Sequence, residues 1–297
     1  MSSDLDYAVG TSPSEPVDAS EVQQVGRLRE WMEDCIEKYE DKNTQFDSNT
    51  PRGRVYVAET IQYNSDIGLT QTGSAPNFFG GLWSLATCKK GMRGEPVRSD
   101  SANPGHPFQK LFREPDENGV RHPRYPVFVL TCASRDSAYD KPDNANSNRN
   151  WLASAAMVTH GFDRMEDYGQ YLRRTHEGDA VKHRLTHASD RTPLAENRGD
   201  CHVDDTGSVQ YPAPNHQHGD GEVEAKCGCG SKHSRQPEDH VDNSEDHVKC
   251  VSEPGYWLGW TEPRFALKSE EEFNRKYRTP EGFDDLLERF EAVGEAN

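Results

Sequence analysis

Cys88 is followed directly by Lys89 and Lys90, with Arg93 close behind. A thiolate is favoured beside cations, so this is chemically a place for a nucleophilic cysteine. The same cations follow a glycine-containing turn, which suits contact with a phosphate or carboxylate by Lys89 and Arg93. The plain alternative is a buried thiol that ends a strand, with its basic neighbours turned to water. A second set is Asp200, His202, Asp204, Asn215, His216 and His218. Histidine and carboxylate together supply acid/base groups or metal ligands, although polar loops of an acidic chain are rich in both. A third set is Cys227-Gly-Cys229 with His233, His240, His247 and Cys250. Cys227, Cys229 and His233 can surround one ion, and Cys250 or His247 can complete a tetrahedral zinc site. The competing reading is an unstructured polar insert. Tyr256, Trp257, Trp260, Phe78 and Phe79 offer stacking faces for a base, or simply core.

The elements that must position these residues are legible in part. Residues 1–17 are polar and read as a disordered tail, and 18–297 as a single domain. Ser20 with Gln23 has the capping-box pattern, and Val22, Val25, Leu28, Met32, Cys35, Ile36 and Tyr39 recur at helical spacing. Strands are expected near residues 54 to 61, 82 to 88, 126 to 132, 151 to 160 and 256 to 260. The run Val127-Phe128-Val129-Leu130-Thr131-Cys132 has the continuous apolar character of a central strand. Asp163 with Glu166 caps a short helix carrying Met165, Tyr168 and Leu172. Residues 92–125 and 192–250 are loop-rich excursions, being dense in turn formers and poor in apolar residues. Ser269 with Glu272 opens another short helix. Thr279-Pro280 opens the last one, with Phe283, Leu286, Leu287, Phe290 and Val293 as its stripe. The fold class is therefore α+β, a mixed or antiparallel sheet flanked by N- and C-terminal helices with long polar loops.

Composition narrows the setting. The chain has 297 residues, 32% hydrophobic and 29% charged, with a net charge of -17. Partial disorder or a surface acidified for a high-salt cytoplasm both give such values; arginine outnumbering lysine favours the halophilic reading, with local disorder added. So acidic a chain repels nucleic acid at low salt, yet a local cationic patch still acts when charges are screened. Seven cysteines at irregular spacing do not make a disulfide framework. The start of the chain has no apolar h-region and no long apolar run follows, so a soluble cytoplasmic protein without a membrane partner is expected.

The stretch Ser74 to Arg93, SAPNFFGGLWSLATCKKGMR, also carries a resemblance. Ala75-Pro76-Asn77, Phe79, Gly81, Leu85-Ala86-Thr87-Cys88-Lys89 and Arg93 are similar to the signature of nucleotide modification associated domain 2, an uncharacterised family. A looser similarity continues through WLASAAMVTHGF, MEDYGQYL, Gly199-Asp200, His202, Asp204, Gln210, Asn215-His216, Asp220-Gly221 and Tyr256 to Trp260. The resemblance would cover roughly Val55 to Pro263, and its first block is the specific part. It implies a nucleotide or nucleic-acid partner and a role in handling a modified base or nucleotide. Asn77, Lys89 and Arg93 would then bind substrate, and Cys88, His202 and His216 would be the catalytic candidates. Two other readings stand beside it, a thiol or acid/base enzyme using Cys88 and a zinc-stabilised interaction module built on Cys227, Cys229, His233 and Cys250.

Overall fold

The N-terminal apolar stripe forms the helix α1, Val25–Glu40. Leu28, Trp31, Met32, Cys35 and Tyr39 are buried along one face, at the alternating spacing of three and four that a helix presents to a core. Trp31 joins the stripe that the aliphatic pattern alone had outlined. The coordinates are a computed structural model describing residues 25–43, 45–49, 51–58, 61–64, 66, 68–71, 76–77, 82–86, 108–133, 150–175, 192–194, 248–260, 262–267 and 287–292. The expected tail at 1–17, the Ser20 cap and the Ser269 helix lie outside these residues.

Helix α1 covers a four-stranded sheet in the order β1 (Arg52–Ala58), β6 (Val127–Ala133), β7 (Leu152–Met157) and β11 (Trp257–Gly259). The first pair is parallel and the other two are antiparallel, so this sheet is mixed. Every residue of β6 and β7 is buried. That is why VFVLTCA reads as an unbroken apolar run rather than an alternating one. Trp31 meets Phe128 edge-on at 6.3 Å on one face. On the opposite face Trp83 reaches Ser154 with its indole N–H at 3.4 Å.

Trp83 belongs to a second four-stranded sheet, antiparallel throughout, in the order β4 (Trp83–Leu85), β10 (Lys249–Ser252), β8 (His160–Phe162) and β5 (Val120–Arg121). Alternation divides its side chains. Trp83, Leu85 and Cys250 enter the main core, whereas Leu82, Ala86, Val120, Phe162 and Val251 form a separate cluster. Helix α2, Met165–Thr175, closes that cluster with Met165, Tyr168, Tyr171 and Leu172. Burying these side chains contributes roughly 1.5–3 kcal/mol for each large apolar group.

Smaller pairings complete the description. β2 (Ile61–Asn64), β3 (Gly68–Gln71) and β9 (Thr192–Pro193) form a three-stranded sheet. β12 (Phe265–Leu267) pairs antiparallel with β13 (Phe290–Ala292). No sheet among the described residues closes into a barrel, and the whole is α+β.

Three expectations change. The run near 151 to 160 is two strands, β7 and β8, which belong to different sheets. The 92–125 segment is not wholly a surface excursion: a 3-10 turn at Phe108–Leu111 leads into Phe112, Val120 and Arg121, all buried. The last apolar stripe does not stay helical to Val293, because Phe290 to Ala292 is extended and pairs with β12. An apolar residue every third or fourth position cannot by itself distinguish a helix from a turn followed by a short buried strand.

Candidate functional site

Of the expected site residues, the described part of the chain holds Asn77 and Cys250. Cys88, Lys89, Arg93, His202, His216, Cys227, Cys229 and His233 lie outside it. Asn77 is buried and makes an isolated antiparallel bridge with Ser84, its N–H donating to Ser84 O at 2.8 Å and its carbonyl accepting from Ser84 N at 2.9 Å. Ser84 Oγ in turn shares a hydrogen bond of 3.0 Å with the Tyr168 hydroxyl of α2. Cys250 is fully buried in β10, opposite Leu85 and Gly161, and its thiol donates to Val248 O at 3.6 Å. Among the described residues no group of three or more histidine, cysteine or carboxylate side chains is placed to hold a metal.

The register of β4 and β10 relates two stretches that sequence could only name separately. Leu85 pairs with Cys250 and Trp83 with Ser252. The chain therefore leaves β4 at Ala86 and enters β10 from Val248 at the same end of the sheet. Phe162 pairs with Lys249, so α2 also begins at that end. Buried Lys249 donates through Nζ to Asp163 O, and Asp163 Oδ1 accepts from Arg121 Nε at 2.7 Å. Gln109 Nε2 contacts the same oxygen at 3.5 Å. The Asp163 carboxylate, expected as a helix cap, is thus engaged with a buried guanidinium. An unpaired charge there would be costly, so this arrangement ties β5, β8 and β10 together.

At the other end of β8 the structure assembles a polar cluster that sequence reasoning missed. His160 Nδ1 lies 3.0 Å from Thr159 Oγ1 and 3.8 Å from Glu253 Oε1. The Tyr171 hydroxyl donates to that same Oε1 at 2.9 Å. The His160 ring centroid is 5.1 Å from Tyr171 and 5.5 Å from His122, whose Nε2 is 3.9 Å from Asp116 Oδ2. Tyr39 of α1 fixes the backbone here by donating to Thr159 O at 2.9 Å. Burial holds His160 down to about 4, with His122 acting in the same sense and the carboxylates of Glu253 and Asp116 opposing it. The imidazole is therefore neutral at physiological pH. The visible signal was a histidine at the end of a small-residue strand, T-H-G-F, just before an aromatic helix. Nothing in the sequence pairs it with Glu253, which the chain brings back 93 residues later by running β10 beside β8.

Two polar groupings therefore sit on one small sheet. One end carries the hydrogen-bonded junction of Lys249, Arg121 and Asp163. The other carries a neutral imidazole backed by a carboxylate. Compared with models of known protein families, with characterised proteins and with solved structures, the chain matches none.

Proposed function

We propose that this protein binds or acts on a modified base, a nucleotide or a nucleic acid through the Asn77-to-Arg93 block. What supports the reading is the likeness of Ala75 to Lys89 to the nucleotide modification associated signature. The observation that carries it further is the β4–β10 register, in which Leu85 faces Cys250. It sets the end of β4, after which the sequence continues to Cys88 and Lys89, beside the start of β10. Lys89 and Arg93 would bind anionic groups, Cys88 would supply the nucleophile, and His202 with His216 would serve as acid/base groups.

The test is binding of nucleotides and of single- and double-stranded nucleic acid, measured both in dilute buffer and in molar salt. Affinity that drops at least tenfold in Lys89→Ala, with the fold retained, is the expected result. An absence of affinity at every salt concentration would remove the proposal. High salt belongs in the test because screening to a Debye length of about 3 Å suppresses repulsion by the acidic surface.

A further inference from the structure

The cluster around His160 stands apart from the block above, and the hydrogen bonds at its Nδ1 decide which ring nitrogen carries the hydrogen. Thr159 has one hydroxyl hydrogen, and Oγ1 donates it to Val251 O at 3.2 Å. The same oxygen accepts the amide N–H of Glu253 at 3.1 Å. Towards His160 Nδ1, at 3.0 Å, the hydroxyl is therefore an acceptor, and the imidazole must donate. Glu253 Oε1, 3.8 Å from the same nitrogen, also favours a hydrogen at that position. The neutral ring then keeps its lone pair on Nε2. Among the described residues no group hydrogen-bonds to Nε2, and the side chain retains 15% exposure. The lone pair is thus left without a partner among the described residues.

The geometry points to His160 Nε2 as the hydrogen-bond acceptor of an additional binding site, one that takes a neutral ligand presenting an N–H or O–H. The ligand keeps its proton and donates it in a hydrogen bond to Nε2, while the Nδ1–H stays directed at Thr159 and Glu253. Glu253 is a positioning residue, held in turn by the Tyr171 hydroxyl. The ligand class follows from the charges around the ring. The groups acting on it are Glu253 after β10, and Asp116 and His122 on either side of β5. Tyr171 of α2 and Thr159 contribute hydroxyls. An anion would meet two carboxylates, whereas a neutral donor meets none of that repulsion. This site does not depend on the nucleotide reading and can fail or stand separately from it.

Diethyl pyrocarbonate, a neutral electrophile that acylates unprotonated imidazole, is the probe, with the modified peptide quantified by mass spectrometry on the folded full-length chain. His160 is expected to react at pH 5 within about twofold of its rate at pH 7.5. An ordinary histidine slows about 30-fold over the same interval, because only about 3% of it is neutral at pH 5. Glu253→Gln is expected to raise the pH 4 rate relative to the pH 7.5 rate, since the carboxylate favours the protonated ring; a merely structural role for Glu253 would leave that ratio unchanged. Nitrogen-15 spectra of histidine-labelled protein should show the Nδ1–H tautomer at His160. A folded-state His160 that reacts only after addition of urea, or an Nε2–H tautomer, would overturn the assignment. Protection of His160 by inorganic phosphate would overturn the neutral ligand class.

Discussion

His160 shows how far a single residue departs from what its sequence neighbours suggest. Burial lowers it from 6.5 to about 4, so between those values the unfolded chain binds a proton that the folded chain refuses. Stability is then undiminished by this group above pH 6.5, declines as pH falls through the window, and levels off below pH 4. The loss approaches about 3 kcal/mol. Asp167 acts in the opposite sense, since burial raises its carboxyl and the folded state holds that proton more firmly. The expected outcome in urea titrations is that wild type loses up to about 3 kcal/mol more than His160→Gln between pH 7 and pH 4. Equal losses in the two proteins would mean that the imidazole is not held neutral. Cys35 and Cys132 illustrate the same physics for thiols. Both are core residues, as free cysteines on apolar faces usually are, and that burial raises both thiols.

At the scale of elements, the sheet under α2 depends on close packing across a strand with no side chain at its centre. Gly161 of β8 has Val248 and Phe112 so near that a Cβ there would stand 2.6 Å from Val248 Cγ1 and 3.2 Å from Phe112. The glycine permits β8 to lie between β5 and β10 while Phe112 packs across it. Gly161→Ala should destabilise by about 1–3 kcal/mol through overpacking, read as a lowered urea midpoint with an unchanged slope. An unchanged midpoint would show that Phe112 moves aside freely. Strands β6 and β7 were legible because a strand buried on both faces is mostly apolar, with Thr131 and Ser154 as its polar exceptions. Strands β5 and β10 were not, because they include the charged residues Arg121 and Lys249, which are buried with partners from outside their own strands. Arg121 is held by Asp163, and Lys249 by the Asp163 carbonyl. No local pattern announces a partner that distant. Likewise Phe290 reads as a helical position by spacing, but pairing with β12 draws it into a strand.

For the whole molecule, a net charge of -17 sets a self-repulsion that salt relieves. The melting temperature should rise steadily from 0.1 M to 2 M KCl, as the Debye length falls from about 10 Å towards less than 3 Å. A flat or falling curve would contradict a surface adapted to high salt. No helix among the described residues is long and apolar enough to cross a membrane. What the sequence by itself determined is the α+β class, the buried face of α1, the central strand β6 and the net acidic charge of the chain. All of these follow from composition or from periodicity within one element. Only the tertiary structure decided that the run around residues 151 to 160 serves two sheets. It alone set Leu85 beside Cys250 and brought His160, Tyr171 and Glu253 together. Those relations depend on strand register and on which strands become neighbours. Both are set by burial and hydrogen bonding between residues far apart in the chain, which short-range pattern does not encode.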